Sequence, residues 1–193
     1  MTATCRAFVG IALPPAYQQA LAIIRERLRP LAPPDMRWTR PGNWHLTLQF
    51  LGDVPLAGPG GLDEVKAALA GVRFEPFVLA GAGGGSFPDA KRPRVVWLGL
   101  AAGGQACVRL AAAVAAALSP LGFPAEDRPF AAHLTLARIR APDRVGDLAP
   151  MLQALSEVRL PETPVRDITL WRSVLAPSGP RYAVLATVPA VVG

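Results

Sequence analysis

The chain has 193 residues, 51% of them hydrophobic and 18% charged, and carries a formal net charge of +6; its mean hydropathy is +0.30 and its pI is near 10.3. That balance excludes an intrinsically disordered chain, and the length suits a single domain over residues 1–193 with two lobes. Eighteen of the twenty cationic residues are arginine, which suits phosphate recognition and attraction to polyanions, although Ala, Gly, Pro and Arg are abundant together throughout, as a biased base composition would also make them.

Arg6 to Leu13 reads as a strand. Its apolar run stops at Pro14-Pro15, too short to span a bilayer and without a cleavage signal. Pro15 to Arg29 places Tyr17, Leu21, Ile24 and Leu28 at helical spacing behind a first-turn proline. A proline-rich loop over 30–41 precedes a strand opening with His45-Leu-Thr-Leu48, then a helix at Leu62 to Ala70 and a strand at Phe74 to Ala80. The run GAGGG at 81–85 reads as a flexible connector, because no strand-turn-helix context makes it a phosphate loop.

The order then repeats. Arg94 to Leu100 is a strand, Cys107 to Leu118 an alanine-rich helix, His133-Leu-Thr-Leu136 a second strand and Leu148 to Leu155 a helix. Strands at Val165 to Leu175 and Tyr182 to Val188 follow, joined by a turn containing Pro177-Ser178-Gly179-Pro180. The strand starts at Arg6 and Arg94 and the two histidines share one offset of 88 residues. Two β-α-β-α-β halves, about 1–88 and 89–193, therefore predict two similar lobes facing a cleft. Cys5 and Cys107 match no metal or redox spacing and are expected to be buried thiols of a cytoplasmic, soluble protein.

His45 and His133 are the only histidines, and both open an HLTL tetrapeptide. In a strand, His and Thr share one face and the leucines the other, so each copy offers an imidazole and a hydroxyl together. Displacement at phosphorus needs a base for the nucleophile and an acid for the leaving oxygen, on opposite sides of the phosphate. Imidazole can serve either role near neutrality, and the hydroxyls can hold the non-bridging oxygens. A zinc site is the competitor, but it would need further ligands, and no Asp, Glu or Cys adjoins either motif.

The paired HLTL motifs, with RAFVGIALP, NWHLTLQFLGDV, PRVVWLGL, HLTLARIR and SVLAPSGPRYAVL around them, resemble the 2H phosphoesterase superfamily and, within it, the RNA 2′,3′-cyclic phosphodiesterases, also called 2′-5′ RNA ligases. The resemblance runs nearly end to end. It implies an α+β bilobal fold with interleaved lobes and mainly antiparallel sheets, and metal-independent hydrolysis of RNA ends or 2′,3′-cyclic nucleotides to 2′-phosphomonoesters without cofactor; no membrane or obligate protein partner is expected, and a monomer is the default because a cleft between two lobes of one chain needs no partner. By analogy His45 is the proton donor to the departing 3′ oxygen and His133 the acceptor that activates water, while Thr47, Thr135 and Arg138 hold the phosphate.

Arg138 falls on the wrong parity of a regular strand and reaches the cleft only if the strand ends, twists or bulges; its counterpart in the first copy is Phe50. Phe8, Trp44, Trp97, Trp171 and Tyr182 are candidates to stack a terminal base. Alternatives are ligation through a 2′-5′ linkage by the same residues, and a non-catalytic RNA-binding module, which would not need both an acid and a base.

Overall fold

A computed structural model describes residues 3–176 and 179–191; Pro177 and Ser178 of the expected turn lie outside them. The elements run β1 (Thr4–Ala12), α1 (Pro15–Leu28), β2 (Met36–Trp38), β3 (His45–Pro55), α2 (Leu62–Ala70), β4 (Phe77–Phe87), β5 (Val95–Ala102), α3 (Gly104–Leu118), β6 (Leu134–Ile139), α4 (Ala149–Ser156), β7 (Thr163–Val165), β8 (Asp167–Val174) and β9 (Arg181–Pro189).

The strands order as β7-β4-β5-β6-β3-β1-β8-β9, with β2 also beside β6, and the pairings are antiparallel. This is the expected α+β arrangement, and its order is symmetric about β6 and β3. The halves nevertheless trade strands: β4, from the first, lies against β5, whereas β8 and β9, from the second, lie outside β1.

Helices cover the apolar faces. On α1, Tyr17, Leu21, Ile24 and Leu28 are buried on one side, each large apolar side chain contributing about 1.5–3 kcal/mol. The run 104–121 is long and apolar enough to cross a membrane by composition, but Cys107, Leu110, Ala111, Val114 and Leu118 of α3 pack into the core.

Two expectations are corrected. The glycine run is not a connector but the body of β4, with Gly81, Gly84 and Gly85 opposite Leu100, Leu98 and Trp97. A Cβ on Gly84 would lie 2.6 Å from the Trp97 carbonyl oxygen and 3.1 Å from the Leu155 side chain, and one on Gly85 2.6 Å from the Trp97 ring; the glycines let an indole and helix α4 press onto the strand. The single offset also fails by one residue. Leu46 pairs with Ile11 and Leu134 with Leu98, so the flanking strands repeat at 87 while the histidine strands repeat at 88.

Matching bulges account for that slip. Val9 and Gly10 face Gln49 and Thr47, leaving Leu48 extra; Val96 and Trp97 face Ala137 and Thr135, leaving Leu136 extra. Both strands then bury two successive residues, Leu48-Gln49 and Leu136-Ala137, and alternation resumes on the opposite parity.

Candidate active site at the junction of β3 and β6

β3 and β6 meet with Leu46 opposite Leu134. The four HLTL leucines point into the core, Leu46, Leu134 and Leu136 at 0% exposure and Leu48 at 5%. His45, Thr47, His133 and Thr135 are therefore left, half-buried, on the other face. Continuing the antiparallel register sets His45 across from Thr135 and His133 across from Thr47. The structure thus brings both predicted imidazoles and both hydroxyls onto one surface.

Each ring is held identically. Nδ1 of His45 lies 2.7 Å from the Asn43 carbonyl oxygen, and Nδ1 of His133 lies 2.7 Å from that of Ala131. A carbonyl only accepts, so in both rings Nδ1 carries the proton and Nε2 is the atom that exchanges one. Asn43 is fixed in turn, its Nδ2 donating to the Pro180 carbonyl at 2.8 Å.

Burial pushes the His45 pKa down to about 4, opposed by the Asn43 contact and reinforced by the charges of Arg138 and His133. His133 is lowered as well, by burial first and then by Arg138. Burial and Arg138 therefore favour neutral imidazoles.

Arg138 reaches this face because of the bulge. With Leu136 and Ala137 both turned inward, Arg138 emerges exposed on the side of His133 and Thr135, and its charge is felt at His45, His133 and Tyr182. The doublet of apolar residues after HxT was the signal for the bulge. Phe50, in the corresponding place, is 49% exposed.

The aromatics divide unevenly. Phe8 lies 4.7 Å from the His45 ring, 5.1 Å from Trp171, 5.0 Å from Tyr182 and 5.9 Å from Phe50; Trp171 and Tyr182 also adjoin His45 at 5.6 and 5.2 Å. Gly10 permits this bed, since a Cβ there would lie 3.2 Å from Trp171. His133 has Phe87 at 5.1 Å and Trp97 at 6.3 Å. Trp44 packs in the hydrophobic core, whereas Phe8, equally buried, lies outside that cluster and against His45. Phe50 and Phe87 escaped sequence reasoning; Phe50 was signalled by sharing the position of Arg138.

Among the described residues, no three His, Cys, Asp or Glu side chains cluster as a metal site would require. What the surface does hold is two Nε2 atoms, two hydroxyls and a guanidinium, a set suited to an oxyanion flanked by an acid and a base.

Comparison with known proteins draws on most of the chain. The LigT like Phosphoesterase family matches twice, over residues 11–97 and 98–182. An RNA 2′,3′-cyclic phosphodiesterase of Aeropyrum pernix is 35% identical over 172 residues, 88% of this chain and 94% of its own. The TT0787 crystal structure from Thermus thermophilus superposes with a TM-score of 0.75 at 32% identity, covering 95% of this chain and 97% of the other. Escherichia coli LigT complexed with 3′-AMP superposes with a TM-score of 0.75 at 27% identity, covering 98% of this chain and all (100%) of that one.

Proposed function

This chain belongs to the LigT-like phosphoesterase family, and from that membership we propose that it hydrolyses RNA 2′,3′-cyclic phosphate ends to 2′-phosphomonoesters, using its two histidines and no metal. The observation that carries this reading is the pair of imidazoles on one face, each with Nδ1 tied to a carbonyl two residues back and Nε2 left to exchange a proton.

Water attacks phosphorus on the His133 side, and His133 Nε2 takes its proton. The bond from phosphorus to the 3′ oxygen breaks on the opposite side, where His45 Nε2 gives that oxygen a proton. The 2′ oxygen keeps the phosphate. Thr47 and Thr135 donate hydrogen bonds to the non-bridging oxygens, and Arg138 offsets their charge. After turnover His133 holds one proton more and His45 one fewer, and exchange with solvent restores both.

The aromatic bed supports this polarity. Phe8 and Trp171 are buried against His45, and the more accessible Tyr182 and Phe50 beside them give a nucleoside an apolar seat near the group that protonates its 3′ oxygen. Bound substrate also offsets the burial that disfavours a protonated His45. A phosphate anion between the rings counters Arg138, which lowers both imidazoles, and favours the cationic form.

Both histidines come from one chain, so the cleft needs no second copy and the protein works as a monomer. Cys5 and Cys107 are buried free thiols, which suits the cytoplasm. The test is incubation with EDTA and a short RNA ending in a 2′,3′-cyclic phosphate, alongside His45→Ala and His133→Ala. A 2′-phosphate product formed by the wild type, and at least about a hundredfold more slowly by either variant, bears the mechanism out; near-wild-type activity in either variant overturns it.

A further inference from the structure

β2 is three residues long, emerges from a proline-rich loop and is firmly attached. Thr39, immediately after it, donates its backbone N–H to the Leu136 carbonyl at 2.8 Å and its hydroxyl to the Thr135 carbonyl at 2.8 Å. A short edge segment is thus bonded directly to the HxT motif and to the bulge that delivers Arg138.

The register of this segment sets Arg37 opposite Arg138. Side chains directly opposite in an antiparallel pair stand about 4.5–5.5 Å apart at Cβ, and like charges there destabilise the pairing. Both arginines are exposed. Among the described residues neither enters an ion pair, the four found being Arg25–Glu26, Arg29–Glu26, Lys66–Asp63 and Arg92–Asp143. One step outward the signs differ: Arg140 donates its backbone N–H to the Asp35 carbonyl at 3.5 Å, bringing an acid beside a base. Arg37 against Arg138 is a pair of like charges that an anion would reconcile.

That anion is not the reacting phosphate alone. Arg37 stands level with Arg138 on the neighbouring strand β2, so it flanks the arginine beside the histidines and offers a second cation next to it.

Building on the hydrolase reading, we infer that Arg37 binds the phosphodiester on the 5′ side of the terminal nucleotide, making the enzyme selective for oligonucleotide over mononucleotide 2′,3′-cyclic phosphates. Arg138 serves the reacting phosphate, and Arg37 is a specificity residue that takes the next one.

The experiment compares wild type, Arg37→Gln and Arg37→Lys on two substrates: adenosine 2′,3′-cyclic phosphate, with one phosphate, and the dinucleotide ApA ending in the same cyclic phosphate, with two. Arg37→Gln should raise KM for the dinucleotide about tenfold with kcat kept, and leave the mononucleotide within about twofold. The slope of log kcat/KM against log salt should become shallower by about 0.7 for the dinucleotide only. Arg37→Lys should keep that slope while recovering part of KM. Equal losses on both substrates would put Arg37 at the reacting phosphate, and no change on either would make it a solvent-facing charge; each overturns the inference. Calorimetric binding of adenosine 2′-phosphate and of ApA 2′-phosphate repeats the comparison without turnover. Failure of the wild type to hydrolyse either substrate then counts against the hydrolase reading, while the two affinities still decide the role of Arg37.

Discussion

Leu46 stands opposite Leu134 across antiparallel strands, and their offset of 88 positions is the same as that between the two histidines. Repeat and register coincide, which places a local two-fold axis through this pair. Both leucines are fully buried, so Leu46→Ala and Leu134→Ala should each cost about 2–5 kcal/mol in urea unfolding. Because they face one another, the double variant should depart from the sum by at least about 0.5 kcal/mol; strict additivity would mean that the pair is not in contact.

Removing either imidazole takes away an acid or a base. His45→Ala and His133→Ala should each lower kcat by roughly 10²- to 10⁴-fold in the cyclic phosphate assay. Thr47→Val and Thr135→Val remove single hydrogen bonds and should cost roughly tenfold or less in kcat/KM.

Arg138 lowers the proton affinity of both rings. Arg138→Gln should therefore raise both imidazole pKa values in the ligand-free protein, while kcat/KM falls. Proton NMR titration reads this directly, since the chain holds two histidines. Unmoved titration curves would show that the guanidinium points away from the cleft.

Stability should depend on pH through His45. Its folded pKa, about 4, lies below the unfolded value near 6.5. Between these values the unfolded chain binds the extra proton, so stability rises with pH there. The contribution is fully present above about pH 6.5, is lost as pH falls through the window, and is gone below about pH 4. It amounts to at most about 3 kcal/mol. In urea midpoints from pH 7 to pH 4.5, His45→Ala should flatten the decline; an equally steep variant would place the titration elsewhere.

Gly10 and Gly85 give way to different neighbours. A Cβ on Gly10 would meet the Leu46 carbonyl oxygen, whereas one on Gly85 would meet the Trp97 ring at 2.6 Å. Backbone yields less readily than an indole, so Gly10→Ala should cost about 2–4 kcal/mol and Gly85→Ala less. The second variant should move Trp97, visible as a change in tryptophan emission.

What the sequence disclosed and what it hid follow one division. The HLTL strands and the helix at Leu62–Ala70 were legible because alternation and helical spacing are local patterns. The placement of Arg138 on the histidine face turned on a bulge at Leu136 that depends on pairing with β5, which strand parity names as a condition but cannot show. β4 was hidden because glycine carries no strand signal; its glycines make room for Trp97 and Leu155, contacts between distant segments. β2 was lost among prolines for the same reason, being stabilised by Leu136 and Thr135 nearly a hundred residues away. Trp44 and Phe50 show the limit for aromatics: one is core and one is cleft, and only the fold separates them.

The traded strands also order events in time. Phe8 pairs with Trp171, and the bed around His45 is completed by Tyr182 of β9. Pairings this distant in sequence form slowly, after long loops have closed. On a ribosome Phe8 can meet Phe50 of β3 early, but Trp171 and Tyr182 reach it only once β8 and β9 have been made. The surroundings of His45 are thus the last part of the site to be finished.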